Sequence, residues 1–222
     1  MTEFINQYGA LLLKETANTL YMSLFSTLLS YVLGLPMGVL LYTTKEGNIL
    51  ANKRFNSIFS WIVNILRSFP FMILIVMLMP VTRIVAGKAI GATAAIFPLT
   101  VGAAPFVARM VESSLEEIDK GIIEACQCMG ATPFTIIKVL VGESKPSLIR
   151  GFSITAITLI GYSAIAGTVG AGGLGDIAIR YGYHRRVESV MWFSVILIVI
   201  IVCLVQAIFD KISVKSDKRN IL

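Results

Sequence analysis

The sequence predicts an all-α membrane protein with five transmembrane helices in a single domain over residues 1–222. Three observations carry that expectation. Apolar residues make up 56 % of the chain and charged residues only 14 %, against about 25 % charged in soluble domains, and the mean hydropathy is +0.81. Five stretches, 20–42, 57–80, 89–110, 151–169 and 189–209, reach or approach the ~20 apolar residues that a helix needs to cross a bilayer. The net charge of +6 is gathered mainly in the short segments between those stretches and at the C-terminus. That distribution is a topology signal rather than a nucleic-acid footprint.

The first span contains "GLPMG" (34–38), a G-x-x-x-G pattern around Pro36 that predicts a closely packed, kinked helix. The residues ahead of it carry Glu3 and Glu15, and no cleavage site follows, so no secretory signal peptide of the usual form is expected. In the second span Arg67, within "NILRSFP", lies ~15 Å in from one end by helical rise. Pro70 is expected to open or kink the helix nearby. A lone arginine at that depth must face a partner or water. Either it binds backbone carbonyls freed at the break, or it lines a path through the membrane; the sequence offers no acidic partner inside a span. The third span is rich in Ala and Gly and contains Pro98 and Pro105, a composition expected for a helix buried between others. The fourth is interrupted by Gly161 and Gly167. The fifth is cleanly apolar and runs into "KISVKSDKRN", a solvated basic tail suited to anionic lipid.

Orientation follows from the cations. One alternating set of segments holds Lys45, Lys53, Arg54, Arg109, Lys120, Lys138, Lys145, Arg150, Lys211, Lys215, Lys218 and Arg219, the other only Lys14, Arg83, Lys88, Arg180, Arg185 and Arg186. The positive-inside rule then puts the N-terminus outside, the C-terminus in the cytoplasm, and the loop at 113–150 on the cytoplasmic side.

That loop is polar and broken. In "EACQCMGATPFTIIKVL" (124–140), Asp119 can cap a helix running to about Met129. Ile122, Cys126 and Met129 would share one face, with Lys120, Glu124 and Gln127 on another. Gly130 supplies a helix-ending position. Thr132 is a good N-cap and Pro133 suits the first helical position, so a second helix starts at once, with an apolar stripe at Phe134, Ile137 and Val141. The product is a compact helical knob. It could lie on lipid or plug a groove on a soluble partner.

The same residues resemble the EAA loop of ABC-importer permeases, and Glu124, Ala125 and Gly130 match that motif, with Cys126 in place of its second alanine. "NTLYMSLFSTLLSYVLGLPMGVLLY", "NILRSFPFMILIVMLMP", "PLTVGAAPFVARMVE" and "GYSAIAGTVGAGGLGDIAIRYGY" resemble the permease subunit of methionine-uptake ABC importers. The resemblance implies a type I ABC-importer permease fold whose coupling helix, at Glu124, Ala125, Met129, Gly130, Ala131, Thr132, Pro133 and Phe134, seats on a cytoplasmic ATPase subunit. It implies two permease copies, two ATPases and an extracytoplasmic substrate-binding lipoprotein, in a bacterial inner membrane, importing an amino acid, most readily methionine. Arg67, Tyr162 and Ile165 are the candidates for the path and gate. One departure stands out: where the family usually has Leu-Pro after the second helix, this chain has Val141-Gly142, with Pro146 only later. The loop's exit is therefore expected to be angled differently.

The remaining features are plainer. "GAGGLG" (170–175) satisfies a dinucleotide fingerprint but has no strand before it, so close packing or an outer gate is expected there. His184 stands alone and is read as exposed, not as a metal ligand. Cys126, Cys128 and Cys203 are expected as free thiols, and the methionines as gap-filling span residues. No catalytic set, no cofactor or metal site and no phosphate-binding G-x-x-x-x-G-K-[ST] loop is present in the sequence, so ATP hydrolysis would fall to another chain. Permeation of another small polar solute, or a passive channel, are the alternative readings.

Overall fold

The computed structural model describes residues 2–216; Lys218 and Arg219 of the basic tail lie outside them. Regular structure among the described residues is helical: α1 (Thr2–Thr44), α2 (Lys53–Arg67), α3 (Phe71–Ala86), α4 (Ala92–Glu116), α5 (Lys120–Cys128), α6 (Pro133–Glu143), α7 (Lys145–Thr168), α8 (Gly173–Ile177), a π-helical stretch (Ala178–His184) and α9 (Glu188–Ser216). Four helices, α1, α4, α7 and α9, are each long and apolar enough to cross a membrane.

Two expected spans take a different form. The first is part of a 43-residue helix, ~65 Å long by rise. Its N-terminal half packs on protein: Leu12 is buried with residues of α7, α8 and α9, and Phe4 stacks on Phe193 at 4.8 Å. The second is not one rod. α2 and α3 meet at 99°, so they make a fifth span only as a broken pair. Pro70, with φ −60° and ψ 125°, starts α3 and cannot continue α2. Ser68 takes the carbonyls freed there: its hydroxyl donates to the Asn64 carbonyl at 2.9 Å and its N–H to Asn64 and Ile65.

The centre of the fold is a seam of small residues on α1. Thr19, Ser23, Ser26 and Ser30 are buried along one face, and Gly34 and Gly38 continue it at helical spacing. The hydroxyls of Ser26 and Ser30 donate to the Ile96 and Thr100 carbonyls of α4. A β-carbon on Gly34 would lie 2.6 Å from Val107 Cβ, and one on Gly38 2.5 Å from the Ala108 carbonyl oxygen. "GLPMG" is thus a packing pattern. The expected burial of the third span also appears in α4, whose most apolar window is 61 % buried against 17 % for α9.

At the other end of α1, "GAGGLG" is a turn laid against that helix. Gly170, Gly172 and Gly173 have φ of +91°, +80° and +84°, in the region that favours glycine. The buried Glu15 carboxylate accepts from the Gly173 N–H at 2.6 Å and from Asn18 at 3.0 Å, and Thr19 accepts from the Leu174 N–H at 2.9 Å. Gly175 packs so tightly on α7 that a β-carbon would sit 2.3 Å from Ala164 Cα.

Gly38→Ala should therefore destabilise the purified protein in detergent by about 1–3 kcal/mol through overpacking. Gly142→Ala, where a β-carbon meets nothing within 4 Å, should be neutral or slightly stabilising within α6. Thermal unfolding of the two variants side by side checks this; equal shifts would refute the close approach of α1 and α4.

Candidate functional site

The knob forms as the caps dictate. The Asp119 side chain accepts from the Gly121 N–H at 2.6 Å to start α5, Gly130 turns the chain at φ +72°, and the Thr132 hydroxyl accepts from the Thr135 N–H to start α6 with Pro133 in its first turn. Ile123 and Cys126 of α5 are buried with Ile136 and Leu140 of α6. On α6 the inward side chains are Ile136 and Leu140, whereas Phe134 of the expected apolar stripe is 77 % exposed. The α5 face divides in the same way, with Cys126 buried and Met129 77 % exposed. Glu124, Ala125, Gly130, Thr132 and Pro133 are exposed and Ala131 is half-buried. All the predicted coupling residues but Ala131, which packs against that core, thus face outward, with two large apolar side chains flanking the turn. Cys128 and Cys203 are exposed and unpaired.

The knob is not a loose loop. Its core is continuous with Tyr42 of α1, with Val107, Val111 and Leu115 of α4, and with Leu148 of α7. Its exit is a single residue. Ser144 ends α6 and precedes α7, and its hydroxyl donates to the Leu140 carbonyl at 2.6 Å. α6 therefore passes into α7 with only Ser144 between them.

A second feature lies beside the break between α2 and α3. A cavity of about 220 Å³ is lined by Arg67, Phe71, Gly102, Phe106, Thr155, Thr158 and Tyr162, among others. Gly102 falls near the middle of α4, so Arg67, which lines the same cavity, lies about level with the middle of that helix. Ser68 caps the freed carbonyls, and Arg67 lines the cavity instead. Tyr162 stacks flat on Phe71, with ring centroids 4.4 Å apart. Thr155 and Thr158 donate to their own helix at 2.8 Å, which leaves their oxygens available as acceptors. No Asp or Glu lines this cavity among the described residues. A cation with hydroxyl neighbours and no counter-charge suits a carboxylate-bearing solute.

The structure brings Arg67 and Tyr162 together but leaves Ile165 out. Ile165 lies one turn further along the same face of α7 and is not part of the lining. The threonines were missed, although their spacing with Tyr162 (155, 158, 162) is a helical-face signal.

Three comparisons bear on what this arrangement does. The family described as binding-protein-dependent transport system inner membrane component matches residues 17–219. The probable D-methionine transport system permease protein MetI of Vibrio cholerae is 48 % identical over 210 residues, 94 % of this chain and 93 % of that one. The methionine import system permease protein MetP of Bacillus subtilis is 48 % identical over 181 residues, 81 % of this chain and 82 % of that one. Among solved structures, an inward-facing conformation of the MetNI methionine ABC transporter superposes with a TM-score of 0.93 at 49 % identity, covering 95 % of this chain and 98 % of that one.

The left-handed turn at Gly130 gives a direct test of the knob. Gly130→Val should cost at least about 1–2 kcal/mol, the penalty for a side chain held at positive φ, whereas Gly130→Asn should cost less because Asn tolerates that region. Denaturant midpoints of the two variants check the order; Val and Asn behaving alike would mean the turn has another geometry.

Proposed function

Since this chain belongs to the family of binding-protein-dependent transport system inner membrane components, we propose that it is the permease subunit of an ATP-driven importer of methionine. Two copies, related by a two-fold axis, enclose the path. Arg67 and Phe69, which line the cavity, are exposed in one copy, and a second copy would cover them. The N-terminus is extracytoplasmic and the C-terminus and knob are cytoplasmic, on the distribution of Lys and Arg. A separate ATPase, in two copies, hydrolyses ATP, and an extracytoplasmic binding lipoprotein delivers the substrate.

The observation that carries this reading is the exposed pair Met129 and Phe134 on a rigidly backed knob. Large apolar side chains on a cytoplasmic helical projection fit a cleft in a partner. Closure of the two ATPases around ATP draws the knobs together. Because each knob shares its core with the ends of α1, α4 and α7, that movement passes into the spans as rigid-body rocking between inward- and outward-facing states. The Arg67 guanidinium meets the substrate carboxylate in transit, with the Phe71–Tyr162 stack against its apolar part.

Co-purification in mild detergent tests the docking step. Wild type should retain the ATPase; Gly130→Pro and Glu124→Arg should lose most of it, and Phe134→Ala should weaken recovery by roughly 30-fold, as for an interface anchor worth about 2 kcal/mol. Equal recovery from all four chains would refute docking through the knob. Recovery of no ATPase with wild type would favour a passive channel.

A further inference from the structure

The two faces of α2 differ in kind. Lys53, Ser57, Ser60, Asn64 and Arg67 recur at three- and four-residue steps and so form one polar stripe. On the opposite side Ile58 and Ile62 are 63 % and 43 % exposed, as lipid-facing residues would be.

The stripe joins two openings. Its first part lines an open groove of about 470 Å³ with Lys45 and Glu46 at the end of α1. Asn64 lines that groove and Arg67 lines the mid-span cavity, one helical turn and ~4.5 Å of rise apart. Arg109 of α4 fixes the stripe in place. Its Nη2 donates to the Ser60 carbonyl at 3.1 Å, to Ser60 Oγ at 2.6 Å and to Asn64 Oδ1 at 2.8 Å, while Nη1 pairs with Glu112 at 2.6 Å. Glu112 balances the Arg109 charge, so the middle of the stripe offers hydroxyls and an amide rather than a net charge. Among the described residues the stripe's ends carry cations: Arg67 in the cavity, and Lys45 and Lys53, paired with Glu116 and Glu46, at the groove.

We propose that the polar face of α2 is the inward half of the substrate path, a track along which a zwitterionic amino acid leaves the Arg67 cavity for the cytoplasm. This rests on the importer reading above. A zwitterion needs donors and acceptors together at each step, and the serine hydroxyls and the asparagine amide supply both. A carboxylate passed from Arg67 toward Lys53 follows the serine and asparagine side chains, with Trp61 beside them in the groove.

The test uses the permease dimer with its ATPase, reconstituted in vesicles that accumulate methionine. Cys128 and Cys203 are changed to serine, and single variants Ser57→Cys and Asn64→Cys on the track are compared with Ile58→Cys and Ile62→Cys on the opposite face. An anionic methanethiosulfonate reagent is applied from the ATPase side. The track thiols should react at least about tenfold faster than the lipid-facing ones, because only a hydrated thiol ionises to the reactive thiolate, and methionine should slow them. Equal rates on both faces, or no reaction at Ser57→Cys and Asn64→Cys in vesicles that transport, would overturn the track and leave the importer reading standing. Vesicles holding the unsubstituted chain that accumulate no methionine would overturn both.

Discussion

Everything else in the molecule hangs on how closely α1 and α4 approach. In a bilayer there is no water to drive apolar surfaces together, so helices associate through packing contact and a few hydrogen bonds. The seam from Thr19 to Gly38 supplies both. Glycines let the α1 backbone reach Val107 and the Ala108 carbonyl, and serines bond the α4 carbonyls above them. With α4 held there, the α2–α3 elbow has a surface to fold against, and α7 completes the cavity from the other side. Toward the N-terminus of α1 the Glu15 carboxylate extends the same seam into the glycine turn that follows α7.

The second design element is continuity. The proposed coupling role requires a knob that moves as one piece with the spans. The knob meets that requirement in two ways: a shared hydrophobic core with the ends of three long helices, and the one-residue junction at Ser144. A flexible linker there would absorb displacement. Nearby, the ammonium of Lys45 is held above the ordinary lysine range by its hydrogen bond to Glu116, an exposed clasp between α1 and α4. Its contribution to stability is small; its position bridges the helix ends that back the knob.

Much of this was legible in the sequence, for identifiable reasons. The knob could be read residue by residue because caps are local chemistry: Asp119, Gly130, Thr132 and Pro133 each act on the nearest backbone groups. The family was legible from the same residues. The break at Pro70 was expected but its 99° angle was not, since the angle is set by what α3 packs against. The length of α1 escaped because hydropathy locates lipid-facing segments, whereas before Leu20 one face of the helix packs on protein through Tyr8, Leu11 and Leu12. The apolar stripe expected at Phe134, Ile137 and Val141 did not show that Ile136 and Leu140 face inward, because periodicity finds apolar stripes without saying which of two faces a neighbour. The seam on α1 went unread although Thr19, Ser23, Ser26 and Ser30 stood at helical spacing, since serines and threonines in an apolar run look like interruptions.

Arg67 has one more consequence, set by its depth. In the proposed importer, a guanidinium level with the middle of α4 would stand inside the transmembrane electric field. Carrying one elementary charge through a full potential of about 100 mV changes its energy by about 2.3 kcal/mol. Movement through a fifth of that drop is worth about 0.5 kcal/mol per copy, close to RT. The rocking of a permease whose cargo has no net charge would then be weakly sensitive to voltage. A cell's membrane potential would bias the resting balance between its inward- and outward-facing forms before any ATP is spent.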